Sequence, residues 1–231
     1  MDRRPESTSS LPATRLRSRE DQDRMKKIVL ILFLLALGVA AGRAQESRQD
    51  ISLSGTGVIE PFIASSTDVQ VHSNYALGAL VSYRFMLTPS SALEANYGIT
   101  YQNTFTYIVG NTNRYSVLTR TQEISAAYVR SFTFKKFNPF VEGGPGALIF
   151  LPIRNSGTTN IDVKQQTSIG GMYGAGIAYE ISPSFDIRAE YRGWVTKVPN
   201  FGLGSGSSTA NLSTNKWFNI FVPTVGVAYH F

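Results

Sequence analysis

The stretch that decides the fold is Leu93-Glu94-Ala95-Asn96-Tyr97-Gly98-Ile99-Thr100-Tyr101. Its odd-numbered residues are apolar or aromatic, whereas its even-numbered residues are polar or small. Successive side chains of a β-strand point to opposite faces, so a period of two predicts a strand with one apolar face. An amphipathic helix would instead repeat its apolar residues about every 3.6 positions.

The same alternation recurs along the chain and predicts eight strands. Short and longer connections follow one another in strict order, which is typical of a meander with all its tight turns at one rim. Two strands, the first and the fifth, carry a weaker pattern than the rest. The predicted strands are Ile51–Phe62, Leu77–Phe85, Leu93–Tyr101, Glu123–Tyr128, Phe140–Phe150, Ile169–Glu180, Phe185–Arg192 and Phe221–Phe231.

The composition of the two strand faces indicates which face meets lipid. Aromatic residues such as Tyr83, Tyr97 and Tyr179 stand near strand ends on the apolar face, as in the girdles of membrane barrels. The other face is mostly Gly, Ser, Ala and Thr with isolated charges, which suits the crowded interior of a narrow barrel better than a solvated surface. The sequence therefore predicts an all-β fold, an eight-stranded antiparallel up-and-down transmembrane β-barrel.

The N-terminal region has the pattern of an export signal. Met25-Lys26-Lys27 precedes an apolar run, Ile28–Ala41, which is too short for a comfortable membrane helix and ends near a small-x-small site. We expect cleavage after Ala44 and translation from Met25, with residues 1–24 as a polar extension. Residues 1–44 are then the extension plus signal peptide, and residues 45–231 form the barrel domain.

Composition excludes several classes of protein. Of 22 basic and 16 acidic residues, nine and five precede Gln45, which leaves 13 and 11 and a net charge of only +2. The basic pI therefore gives no argument for nucleic-acid binding. The chain has no cysteine, so disulfides, thiolate metal sites and a lipid-modified cysteine are excluded. No metal cluster, phosphate loop or nucleotide fingerprint is recognisable, and we expect neither a metal nor a cofactor.

Charged residues of both signs have the parity of the predicted interior. An unpaired ion in a narrow lumen costs several kcal/mol, so these side chains should pair or remain wet. We predict that Arg188 and Arg192 bond to some of Glu94, Glu123, Glu142 and Glu190. In the alternative, several of the charges simply occupy the wet ends of strands. The predicted lumen network is Arg84, Glu94, Glu123, Glu142, Arg188, Glu190 and Arg192, with Glu180 at the same parity.

The chain resembles the outer-membrane protein A-like, or porin-family, β-barrel domain. The resemblance is carried by two similar hairpins, residues 83–97 and 178–192, and by the ending Gly226–Phe231. It implies the barrel fold and the outer membrane of a double-membraned bacterium, and says little about function. We expect outer-membrane lipid around the barrel and a monomer. The terminal pattern Val225, Val227, Tyr229 and Phe231 is similar to the signal read by the outer-membrane assembly machinery.

Three functions compete, and the first is a structural or surface-interaction role without catalysis. An eight-stranded barrel is just wide enough for side chains to fill it, although a narrow channel for ions or small solutes remains an alternative. A lipid-modifying enzyme would have to use His72-Ser73-Asn74, whose adjacent side chains point to opposite faces. The loop Gly202–Asn215 is either a binding loop or, as its Gly and Ser content favours, a solvated connector.

Overall fold

The computed structural model describes residues 48–64, 69–110, 112–158, 161–204, 207 and 210–231, and in this part of the chain the elements are all strands. The predicted signal peptide and its cleavage site lie outside these residues. Within them, no helix is long and apolar enough to cross a membrane. The strands are β1 (Gln49–Val58), β2 (Ile63–Ala64), β3 (Val69–Ser73), β4 (Ala76–Thr88), β5 (Ser91–Val109), β6 (Asn113–Ser131), β7 (Phe137–Gly157), β8 (Gln166–Ser182), β9 (Phe185–Lys197) and β10 (Trp217–His230).

The strands close into a barrel. From β4 to β10 each strand pairs antiparallel with the next, and β1 pairs with both β4 and β10. β3 pairs with the C-terminal part of β5, and β4 pairs with its N-terminal part. β3 and β4 therefore occupy one strand position in the barrel wall, interrupted at Asn74–Tyr75. The short β2 adds to the outer edge of β3. The predicted eight-stranded antiparallel barrel is thereby confirmed.

The interruption between β3 and β4 faces a bulge in β5. Gln102 has a positive φ of 60°, and one extra residue shifts the register between Thr100 and Asn103. The side chain of Asn74 replaces missing ladder bonds, since its Oδ1 accepts from the Thr104 backbone N–H at 2.7 Å. The bulge also exchanges the faces of β5, because an added residue reverses the side-chain alternation beyond it.

Two prolines coincide with gaps in the ladder. The pairing of β6 with β7 skips the positions between Ser125–Gly146 and Tyr128–Gly143, where Pro145 has no N–H to donate. The continuous pairing of β1 with β10 ends at the Thr56–Thr224 pair, and Pro223 is the next residue of β10 beyond this pair. Each proline thus lies where its missing donor interrupts only one neighbouring strand.

The two faces of the wall are opposite in polarity. Tyr97, Ile187 and Val227 point outward and are 47%, 42% and 52% exposed, whereas Asp50 and Arg192 point inward and are fully buried. Rings including Tyr83, Phe85, Tyr128, Tyr179 and Phe185 also lie on the outer face. Apolar residues outside and charges inside are the arrangement of a lipid-embedded barrel.

The rims differ in the length of their connections. The rim with the tight β4–β5, β6–β7 and β8–β9 turns also carries the start of β1 and the end of β10; we call it the lower rim. The opposite, upper rim carries the longer connections, including the segment 198–216 between β9 and β10. In membrane barrels of this type the short turns are periplasmic, so the lower rim is the periplasmic one.

Candidate functional site

The interior of the barrel is the candidate site, and it has two parts of different chemistry. The lower lumen is defined by buried ionic side chains near the short turns. The upper lumen is defined by buried apolar side chains near the long loops. The lower lumen comprises the buried residues Asp50, Arg84, Glu94, Glu123, Glu142, Arg188 and Arg192 together with the half-buried Glu190. The upper lumen includes Phe105, Tyr107, Tyr115, Val117, Phe150, Trp194, Phe201, Leu203 and Leu212.

Arg192 on β9 is the centre of the lower lumen. Its Nη2 donates to Glu123 Oε1 at 2.7 Å, and its Nε donates to Glu142 Oε1 at 3.2 Å. Glu190 is farther away, with 3.8 Å between its Oε1 and the Arg192 Nε. A fully buried guanidinium held by carboxylates from β6 and β7 ties three strands together across the barrel.

A glycine makes room for this arrangement. Gly174 on β8 is the direct cross-strand partner of both Glu142 and Arg192, so it stands between them in the wall. A Cβ built on Gly174 would lie 2.8 Å from Glu142 Oε1 and 3.0 Å from its Cγ. Any larger residue there would displace the carboxylate from Arg192.

Two further ion pairs complete the lower lumen. Arg84 and Glu94 are direct partners on β4 and β5, with 2.6 Å between Arg84 Nη2 and Glu94 Oε2. The guanidinium of Arg84 also lies 4.9 Å from the centre of the Phe140 ring. Arg188 Nη2 donates to Asp50 Oδ2 at 2.7 Å. The structure thus groups the buried charges as one cluster around Arg192 and two pairs beside it.

The partner predicted for Arg188 is wrong. Arg188 bonds to none of the four glutamates predicted for it, but to Asp50, which lies outside the predicted network. Asp50 precedes the predicted start of the first strand at Ile51, so the predicted alternation does not reach it. It shares the parity of the small polar residues Ser52 and Ser54, and extending the alternation backwards would have found it.

Histidine occurs at the edge of the lower lumen. His230 is half-buried, and its Nε2 lies 2.8 Å from Asp186 Oδ2. The Asp186 carboxylate points into the barrel on β9. This histidine therefore belongs to the ionic lining of the barrel at the periplasmic end.

The upper lumen is apolar, which corrects the prediction that polar and small residues with isolated charges face the barrel interior. The rings of Phe105, Phe150 and Phe201 are buried, and Phe105 contacts the other two edge-on at centroid distances of 5.6 and 5.9 Å. Because the β5 bulge reverses the faces, Phe105 points inward although its odd number matches the lipid-facing residues below Thr100. The simple alternation could not show this.

Phe201, Leu203 and Leu212 form a plug in the upper lumen, so the prediction of a solvated connector for Gly202–Asn215 is wrong at Leu203 and Leu212. Phe201, Leu203 and Leu212 are all buried against the barrel interior. The hydroxyl of Tyr107 donates to the Pro199 carbonyl at 2.6 Å. Gln166 Oε1 accepts the backbone N–H groups of Asn200 and Phe201, both at 2.8 Å. Polar bonds to the wall therefore hold the apolar plug in place.

The two parts meet at Trp194. Its indole is buried and its Nε1 donates to Glu123 Oε2 at 3.3 Å, which links the apolar and ionic regions. A cavity of about 30 Å³ remains beside it, lined in part by Glu60, Thr121 and Ile220.

The side chains of His72 and Ser73 have different partners in the structure. The His72 ring contacts Phe62 at a centroid distance of 4.5 Å, whereas the Ser73 hydroxyl donates to Asn103 Oδ1 at 2.9 Å. Along the part of the chain that the structure describes, no cluster of three or more His, Asp or Glu is arranged to hold a metal ion.

The C-terminal residues Val225, Val227, Tyr229 and Phe231 lie on or next to β10 at the periplasmic end. Val225 and Val227 face lipid, and the Phe231 backbone N–H donates to the Gln49 carbonyl at 3.0 Å. The rings of Tyr229 and Phe231 stack with 6.0 Å between their centres. The terminal strand thus presents a row of apolar side chains to lipid.

Comparison with known proteins identifies the family. A profile of the outer membrane protein beta-barrel domain matches residues 29–231. The chain belongs to this family. The resemblance seen in the two hairpins and the C-terminal ending is therefore confirmed, and the domain is an outer-membrane barrel. A search among curated proteins found no match.

Solved outer-membrane barrels share the fold of this family member at low identity. OprG from Pseudomonas aeruginosa is 12% identical with a TM-score of 0.54, over 81% of this chain and 97% of that chain. AlkL, solved in lipid bilayers, is 14% identical with a TM-score of 0.52, over 81% and 92%. Neisserial surface protein A is 14% identical with a TM-score of 0.50, over 80% and 98%. At these identities the likeness shows the fold alone.

Proposed function

We propose that this outer-membrane barrel has a structural or surface-interaction role and conducts no steady flow of solute. The observation that carries the proposal is the double closure of the lumen. Arg192 and its carboxylates fill the lower part, and Phe201 with its apolar neighbours fills the upper part. The interior side chains of an eight-stranded barrel can fill it, and the presence of two separate sets of interior side chains supports closure here.

Planar-bilayer recording of the refolded barrel tests the closure. We expect the wild-type protein to show no stable conductance steps, because an ion would have to pass both the apolar plug and the ionic cluster. A variant whose segment 200–213 is replaced by a short Gly-Ser linker should also stay closed, since the lower lumen remains filled.

The matched positive control combines that linker with Arg192→Ala, Glu123→Ala, Glu142→Ala and Glu190→Ala, which removes Arg192 together with all three carboxylates paired with it. This variant should conduct. Stable steps from the wild-type barrel would overturn the proposal and favour the narrow channel instead.

Lipid A from a deletion strain should be the same as lipid A from the parent strain, since the chain is proposed to have no catalysis. An altered acylation pattern would contradict that.

We also propose export through a signal peptide cleaved after Ala44, followed by insertion as a monomer by the outer-membrane assembly machinery. The apolar run Ile28–Ala41 and the C-terminal pattern support this route. N-terminal sequencing of the protein from outer membranes should begin at Gln45. Deletion of Phe231 should lower the amount that reaches the outer membrane, and unchanged levels would contradict a role for this residue in assembly.

A further inference from the structure

The lipid-facing surface of β5, β6 and β7 contains a groove of about 500 Å³. We call it the β5–β7 groove and define it by its floor, Ala95, Ala126, Gly143 and Pro145, and its walls, Tyr83, Leu93 and Tyr128. The floor is deep because Ala95 and Ala126 are direct cross-strand partners with short side chains. The strands β6 and β7 also approach closely here, since a Cβ on Gly144 would collide with the Ala126 carbonyl oxygen.

The lower end of the groove is polar and basic. Arg130 points outward on β6 and its Nη1 donates to Ser91 Oγ at 2.8 Å. The hydroxyl of Tyr128 donates to the same oxygen at 2.9 Å. A guanidinium has five N–H donors, so most of those on Arg130 remain free for another acceptor. The lower end therefore presents hydrogen-bond donors at the membrane surface.

Positive charge at the short turns is concentrated beside this groove. The β6–β7 turn contains Lys135 and Lys136, both exposed, directly after the strand that carries Arg130. The β4–β5 and β8–β9 turns, Thr88–Ser91 and Ser182–Phe185, contain no basic residue. Among the described residues, none of these three cations forms an ion pair with a carboxylate. Their charge is thus available to an external anion.

We propose that this surface binds an anionic phospholipid of the periplasmic leaflet. The phosphate contacts Arg130 and the lysines of the turn, and one acyl chain lies in the β5–β7 groove. The four residue steps from Arg130 up to Ala126 span about 13 Å along the strand, a length that an acyl chain covers easily. Basic residues at a membrane surface attract anionic lipid, and guanidinium groups bind phosphate through paired N–H bonds.

Electron spin resonance with spin-labelled lipids tests the site on the full barrel in phosphatidylcholine bilayers. We expect the wild type to retain labelled phosphatidylglycerol several-fold better than labelled phosphatidylcholine. In the triple variant Arg130→Gln, Lys135→Gln and Lys136→Gln, the ratio of retained phosphatidylglycerol to phosphatidylcholine should fall at least about fivefold. That is the effect of losing one basic residue at a membrane surface.

Arg120→Gln is the matched control. Arg120 is exposed on the same face of the same strand, but ten positions farther from the lower rim, and its guanidinium lies 5.4 Å from the centre of the Tyr101 ring. It should keep the wild-type preference. Absence of any preference in the wild type, or an equal loss in Arg120→Gln, would overturn the proposal.

Ala126→Phe separates a built site from diffuse attraction. This side chain faces lipid and should leave folding intact, as heat-modifiable gel migration can verify, while its ring fills the groove. We expect less retained phosphatidylglycerol although all three cations remain. Retention equal to the wild type would show attraction of headgroups alone and would overturn the groove as a binding site.

Discussion

The lower and upper halves of the lumen are closed by different means. In the lower half, charges project from the strands themselves and meet across the barrel, as Arg192 meets Glu123 and Glu142. In the upper half, a loop brings Phe201 and Leu212 back into the barrel to pack on its wall. The first kind of closure depends on every partner being present, because a buried charge without its counter-ion is costly. Closure of the upper half depends on how much apolar side-chain volume is packed there, so each truncated side chain should weaken it only in part.

The largest expected effect comes from removing the central charge of the lower half. Arg192→Met leaves Glu123 and Glu142 buried without a cation, which should cost about 3–5 kcal/mol of unfolding free energy. Urea unfolding of the barrel in lipid vesicles measures it. The control adds Glu123→Gln and Glu142→Gln to Arg192→Met and should recover much of the loss. If the triple variant is as unstable as the single one, uncompensated charge is not the cause.

A smaller but still large effect is expected in the upper half. Phe201→Ala removes a fully buried ring that contacts Phe105 and Tyr107, and such truncations cost about 3 kcal/mol or more. The plug should also exchange its amide hydrogens faster, while the strands of the lower half remain protected. Phe62→Ala, at an exposed ring of the same end, is the control and should change stability much less. Equal effects of the two substitutions would contradict a packed upper lumen.

The polar anchor of the plug should contribute less. Tyr107→Phe keeps the ring but removes the hydrogen bond to the Pro199 carbonyl, at a cost of about 1 kcal/mol. Hydrogen exchange at Phe201 and Gly202 should rise relative to the wild type. Thr112→Val, which removes an exposed hydroxyl from another upper loop, should leave that exchange unchanged.

The smallest effect is expected from Glu190→Gln in the lower half. Its carboxylate lies 3.8 Å from the Arg192 Nε, beyond hydrogen-bond distance, and Arg192 keeps its two closer partners. The change in unfolding free energy should remain below about 1 kcal/mol. A loss of unfolding free energy as large as that of Arg192→Met would mean that the distant partner Glu190 is as important to the cluster as the close partners Glu123 and Glu142.

Local alternation was enough for most of the fold. The pattern around Tyr97 predicted a strand, its recurrence predicted eight strands, and the polarity of the two faces predicted lipid outside. These inferences succeed because the side-chain period of a strand is a local property of the backbone. Parity also placed Arg84, Glu94 and Arg192 on the inner face, where the structure has them.

The partners of these charges could not be read in the same way. Arg188 and Asp50 are 138 positions apart, and they meet only because the first and last strands close the barrel. The β5 bulge had a similar effect, since one extra residue before Asn103 turns Phe105 inward. A single inserted residue carries little sequence signal, yet it reverses every face beyond it.

The sequence by itself determined the strands, their order and the side of the wall that faces lipid, because each follows from a period of two and from the length of the turns. Only the tertiary structure decided which charges pair, that the upper lumen is apolar, and that Phe201, Leu203 and Leu212 pack into it as a plug. Those outcomes depend on barrel closure, which brings together residues far apart in the chain, and no local pattern records the distances that closure sets.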